Sequence, residues 1–209
     1  MEEVTTLAHE VIPVVENEPV SELDEILWRT WKAMDLPEGY RAEIIEGSIE
    51  VSPTGRRHGV LINRLRRALD AHLVHGGHAP YQDINVMYRR KSWIPDLFVA
   101  PRDLDEIPDE EDLGVDAAGV LMVVEVVSPG RRNIERDRVR KRREYARADI
   151  PLYVIIDDID EGGAVLILSE PDYKKATYKE EHRVRYGIDA VIPAGPAKGF
   201  TIGEAITRR

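Results

Sequence analysis

Two carboxylates in this sequence occupy places where a carboxylate is expensive. Glu125 interrupts Val120-Leu121-Met122-Val123-Val124-Glu125-Val126-Val127, the most hydrophobic run in the chain. Asp96 follows Pro95 and leads into Leu97-Phe98-Val99, another apolar run. An ionised carboxylate in such surroundings costs several kcal/mol unless a cation or hydrogen bonds compensate it. Either acid alone reads as one half of a salt bridge or as a cap at a strand end. Two acids on adjacent strands favour a shared divalent cation. Oxygen ligands without clustered His or any Cys point to Mg²⁺ or Mn²⁺ rather than Zn²⁺.

A third group lies downstream, where Asp137, Lys141 and Tyr145 recur every four residues and so share one helix face. If that face looks toward the Glu125 strand, Lys141 can orient an attacking water and stabilise charge developing on phosphorus. The plainer alternative is an Asp137–Lys141 surface pair. His58, beside Arg56 and Arg57, could contact a phosphate, move a proton, or be a solvated residue of a first helical turn. Glu43, in an Ile-rich segment, could bind metal or water, or face outward.

These groups need elements to hold them. Ser21 to Met34 has an N-cap, an acidic first turn and Leu23, Ile26, Leu27 and Trp31 at helical spacing. Trp28 and Trp31 are expected in the core. Tyr40 to Val51 reads as a hairpin about Glu46-Gly47. A helix over 56–75 ends at Gly76-Gly77. Strands near 80–89 and 94–100 are expected to be joined through Arg89-Arg90-Lys91-Ser92, and the acidic segment 102–118 reads as a surface loop. The Glu125 run, covered on both faces, leads through a helix of about 133–148 to a buried strand at Leu152–Ile156. That order implies a right-handed crossover between parallel neighbours. Short strands to about 192 and a Pro/Gly-rich tail complete the chain. The expected architecture is a single α/β domain on a mixed sheet flanked by helices. It has an N-terminal arm and helix over 1–38, a main domain over 39–200 and a tail over 201–209.

Composition bounds the function. At 209 residues, with 43% hydrophobic and 33% charged residues, the chain is a globular domain of ordinary size. The absence of cysteine excludes disulfide scaffolds, thiolate metal sites and cysteine nucleophiles. No run approaches the roughly 18 apolar residues of a membrane span, and a soluble, cytoplasmic protein is expected. Net charge is −10, which argues against a surface that coats nucleic acid throughout. Residues 131–147 nonetheless hold nine basic groups against three acidic ones. With the segment around 56–67 they could form a phosphate-facing strip, with Arg56, Arg57, Arg131 and Arg132 its candidate nucleic-acid contacts. Solvated helix faces are the alternative.

The pair Asp96 and Glu125 is similar to the paired acids of the PD-(D/E)XK nuclease superfamily, the restriction-endonuclease-like fold. Four stretches in order resemble the Uma-type restriction endonuclease family within it. They are Ala42-Glu43-Ile44-Ile45-Glu46-Gly47, Ser52-Pro53 with His58, Val124-Glu125-Val126-Val127-Ser128-Pro129, and Asp137-Arg138-Val139-Arg140-Lys141 continuing through Tyr145 to Ile156-Asp157. The resemblance covers about residues 40–200. It implies metal-binding roles for Asp96 and Glu125, an accessory role for Glu43, and a Mg²⁺-dependent hydrolase of DNA phosphodiesters. The lysine expected two positions after the second acid is Val127 here, and Lys141 looks like its displaced counterpart. Cutting both strands usually pairs two sites, so a homodimer is expected. The competing readings are a catalytically weak nucleic-acid-binding or regulatory module that keeps the fold, and a hydrolase of smaller phosphoesters.

Overall fold

The computed structural model describes residues 20–53 and 56–208. The expected arm, but for Val20, and Thr54-Gly55 lie outside the described residues. Ser21 caps α1 (Glu22–Lys32) by accepting the Asp24 N–H, and three acids in the first turn complement the helix dipole. Trp28, 3% exposed, stacks on Trp31 and packs with Ile44 and Met87. The hairpin follows as β1 (Tyr40–Ile45) and β2 (Ser48–Pro53). Its turn residues Glu46 and Gly47 both have positive φ, 42° and 74°, which matches the twist of the flanking strands. The α2 helix (Arg56–Leu73) buries Leu61, Leu65 and Leu69 along one stripe, each leucine contributing about 1.5–3 kcal/mol.

The stretch 78–101 departs from expectation. It forms four strands, β3 (His78–Tyr81), β4 (Val86–Tyr88), β5 (Lys91–Trp93) and β6 (Leu97–Pro101), rather than two. Arg89-Arg90 turns β4 into β5 within a small separate sheet, while β3 pairs with β6. Asp83, at φ 63°, breaks the first run. Pro95 breaks the second, since it has no N–H to give a ladder. The acidic loop also supplies a short strand, β7 (Val115–Asp116), parallel to β4. Asp109 organises the approach to it by accepting the N–H groups of Glu111, Leu113 and Gly114.

Beyond it come β8 (Met122–Val126), α3 (Arg131–Glu135), a π-helical stretch over Arg136–Arg140, α4 (Lys141–Arg147) and β9 (Leu152–Asp157). Next are β10 (Ala164–Asp172) and β11 (Thr177–Arg185), nine residues each where short strands were expected. The main sheet has the order β11-β10-β9-β8-β6-β3. Its β8–β9 pair is parallel, as the strand–helix–strand order requires, and the other neighbours are antiparallel. The final segment is packed rather than left as a tail. It contains β12 (Ala190–Val191), β13 (Thr201–Ile202) and α5 (Glu204–Thr207). Ile202 and Ile206 enter the core beside α2, and Arg57 and Arg64 donate to the last backbone carbonyls.

The two faces of the sheet therefore carry different cores. Leu97, Met122, Val124 and Val154 meet α2 and the C-terminal segment. Phe98, Val123, Tyr153 and Ile155 meet Tyr145 and Ala146 of α4 and Trp93 of the small sheet. Residues two apart on a strand share a face. Asp96 therefore lies on the Phe98 face and Glu125 on the Val123 face, which are the same side of the sheet.

Candidate active site

The β6–β8 register sets Leu97 opposite Val124. Asp96, one residue earlier, thus stands beside Glu125, one residue later. Asp96 Oδ2 accepts the Val126 N–H at 2.7 Å, and its Oδ1 lies 2.7 Å from His58 Nε2 at the start of α2. Glu125 is 1% exposed, and its Oε1 accepts from Lys141 Nζ at 2.8 Å and Tyr145 Oη at 2.5 Å. Lys141, also 1% exposed, reaches Glu43 Oε1 at 2.9 Å from the same ammonium. That Glu43 oxygen also accepts the Ile94 N–H at 2.8 Å. Glu43, His58, Asp96, Glu125 and Lys141 are thus brought together, and the outward-facing alternative for Glu43 gives way to a buried one.

The helix that delivers Lys141 is locally widened. The Lys141 N–H donates to the Arg136 carbonyl, an i→i+5 bond of a π-helical turn, a feature often found at functional sites. Two consecutive residues, Arg136 and Asp137, are buried there. Asp137 and Lys141 are therefore not a surface pair. Asp137 instead takes the Arg136 fork, Nε to Oδ1 at 2.7 Å and Nη2 to Oδ2 at 3.2 Å. In the sequence Arg136 is one more residue of the basic run over 131–147. Its position one residue ahead of the inward stripe Asp137–Lys141–Tyr145 was the available signal. It was masked because an ideal helix would turn Arg136 about 100° away.

Burial opposes every charge here, and the partners decide the outcome. It drives the Glu125 carboxyl well above the usual range, with Asp96, Asp137 and Glu43 adding to the rise and Lys141 only partly offsetting it. Asp96 is held below its ordinary value despite burial, by His58, Lys141 and the Val126 N–H. Burial pulls Lys141 down, but Glu125, Glu43 and Asp137 outweigh it and raise it, so the ammonium stays charged. Glu43, His58, Asp96 and Lys141 border a cavity of about 150 Å³, lined also by Arg41, Ser52, Ser128, Asn133 and Arg136.

The predicted nucleic-acid contacts divide. Arg56, Arg131 and Arg132 are exposed, with no ion pair among the described residues. Arg57 is occupied: its guanidinium donates to Asp158 and to the carbonyls of Thr207 and Arg208. Seven of the nine basic residues of 131–147 are paired with acids, which leaves little free positive charge on that helix.

The chain is similar in fold to a crystal structure described as "a putative nuclease belonging to DUF820" from Anabaena variabilis. That likeness has a TM-score of 0.63 at 17% identity and covers 90% of this chain and 98% of that one. No curated protein matches the sequence. A family profile described as "Uma2: Putative restriction endonuclease" matches residues 28–190, a span that holds Glu43, His58, Asp96, Glu125 and Lys141. By that match the chain belongs to the Uma2 family of restriction-endonuclease-like proteins.

Proposed function

We propose that the protein is a metal-dependent endonuclease that hydrolyses DNA phosphodiester bonds. The observation that carries this reading is the side-by-side placement of Asp96 and Glu125 on one sheet face, with Lys141 bonded to the second acid. Four carboxylates, Glu43, Asp96, Glu125 and Asp137, face two permanent cations, Arg136 and Lys141. The mutual repulsion of these acids, which adds to the rise of the Glu125 carboxyl, is relieved by uptake of a cation. Glu125 Oε2 and Glu43 Oε2 accept no hydrogen bond among the described residues, so each acid keeps an oxygen available. No three His, Asp or Glu residues among those described form a ready cation cage. Two carboxylates completed by water and substrate oxygens suit Mg²⁺ or Mn²⁺, which seldom use an all-protein shell.

Asp96 and Glu125 would hold that ion, which when bound supplies Lewis acidity toward phosphoryl oxygen and a more acidic water. Lys141 sets a positive charge beside Glu125 and Glu43, where it can stabilise charge on the phosphoryl group. Through Nε2, His58 orients the Asp96 carboxylate, so any proton transfer by this residue falls to Nδ1. Tyr145 and the Ile94 N–H fix the two glutamates.

Arg56, Arg131 and Arg132 are the exposed candidates for DNA contact, and Arg57 serves the C-terminal segment instead. Among the described residues no helix is long and apolar enough to cross a membrane, and we place the protein in the cytoplasm. Cleavage of both strands would call for a homodimer. A second reading, a nucleic-acid-binding or regulatory module with little turnover, is favoured by the neutralisation of the basic helix.

Supercoiled plasmid and single-stranded DNA incubated with Mg²⁺ or Mn²⁺ separate the two readings. Metal-dependent nicking by the wild type, lost in Glu125→Ala and in EDTA, is the expected result. Binding of DNA without nicking would overturn the catalytic reading in favour of the module.

A further inference from the structure

Arg136 is a buried cation of the cavity that keeps one edge of its donors free of protein groups among the described residues. It is 8% exposed, yet it lines the cavity beside His58, Asp96 and Lys141. Asp137 engages only its side edge, Nε and one Nη2 hydrogen. Nη1 donates to no group among the described residues, so the end-on Nη1/Nη2 edge remains available. An open guanidinium edge matches two oxygens of a tetrahedral or planar anion. Lys141 offers no such fork, because it is a point charge with two of its three hydrogens directed at Glu43 and Glu125.

We infer that the end-on edge of Arg136 is a phosphate-binding subsite, which takes a backbone phosphate of the nucleic-acid strand next to Asp96. Asp137 is its positioning residue: it fixes the fork and keeps the guanidinium charged in a buried place. The π-helical turn gives this arrangement its geometry, because it buries Arg136 and Asp137 together over the cavity. A cavity of about 150 Å³ holds roughly five water volumes at about 30 Å³ each, enough for a phosphate group but not for a duplex. The occupant is a single backbone phosphate, and a single strand is its simplest carrier. The inference rests on the nuclease reading for the identity of the ligand.

The test is anisotropy with a labelled oligothymidylate single strand and the full chain, in EDTA and again in Ca²⁺, across about 50 to 200 mM salt. Wild type, Arg136→Gln, Arg136→Lys and Asp137→Asn are compared, with thermal melts to establish folding. Arg136→Gln should weaken binding about tenfold, and should reduce the salt slope by about 0.7, the value of one lost phosphate contact on a single strand. Arg136→Lys should keep most of the slope but lose affinity, since it keeps the charge without the fork; it also serves if the Gln variant does not fold. Asp137→Asn should follow Arg136→Gln. Folded Arg136 variants with wild-type affinity and slope would overturn the subsite, as would a wild type that binds no strand. Failure of the nuclease reading looks different: a wild type that binds through Arg136 but never cuts leaves the subsite standing.

Discussion

Replacing Lys141 with methionine asks what the buried ammonium is worth. The side chain is fully enclosed and compensates Glu43 and Glu125 at 2.9 and 2.8 Å. Methionine keeps most of the volume, so little of the effect can come from a cavity. Two carboxylates then lose their cation where burial leaves them little solvent, Glu43 being 5% and Glu125 1% exposed. Removing one partner of a buried pair costs about 3–5 kcal/mol. In a domain of this size 1 kcal/mol moves Tm by about 2–4 °C, so a fall of about 6–20 °C is expected. The second half of the prediction is recovery. Glu125→Gln in the Lys141→Met background removes one uncompensated charge and should restore at least about 1 kcal/mol, although Glu125→Gln alone destabilises. Denaturant melts of the four proteins, in EDTA, give the coupling energy directly. Additive single effects, or a Lys141→Met protein within about 1 kcal/mol of wild type, would refute the argument that this lysine stabilises by neutralising buried acids.

Other outcomes follow from the same geometry. Asp96→Asn should lower Mn²⁺ affinity at least about tenfold by calorimetry, because it removes one of the two proposed ligand charges; unchanged affinity would move the metal elsewhere. Trp28→Ala should cost about 3–5 kcal/mol in urea unfolding, since it empties the small core beneath α1 and loses the bond to Glu111. Glu46 is raised by partial burial but more strongly lowered by Arg143 and Arg147, so its carboxyl sits below the ordinary value. A depressed carboxylate adds stability above its unfolded pKa, near 4.3, and loses it as pH falls. Glu46→Gln should therefore destabilise at pH 7, and its melting curve should converge on that of the wild type in acid.

What could be read from the sequence follows from which signals are local. The α1 cap, the Glu46-Gly47 turn and the continuous run around Glu125 each announce an element within a few residues, and each stands where expected. The same logic places Asp96 and Glu125 on neighbouring strands. The stretch 78–101 reads as two strands but forms four, because β-branched and aromatic residues there alternate through two breaks, and partners decide which sheet each piece joins. Glu43 lies next to Lys141 only because α4 returns to β1, and no local spacing encodes that. Arg57 looked like a phosphate contact because a free and a committed arginine have the same sequence signature. The C-terminal segment looked like a tail for its prolines and glycines, although Phe200, Ile202 and Ile206 carry the apolar pattern of a packed strand and turn.

The spread of the site along the chain has a consequence for folding. Glu43 meets a lysine that is 98 positions later, and His58 meets an acid 38 positions later, across elements from three layers. Contacts of such separation form late, after the loop-closure cost of the whole sheet has been met. A partly folded chain can hold α1, the hairpin or the β10–β11 pair and still have no site. If the site cuts DNA as proposed, its chemistry is tied to the finished fold. A local opening that separates β1 from α4 would part Glu43 from Lys141 and so take the site apart while the main sheet stays paired.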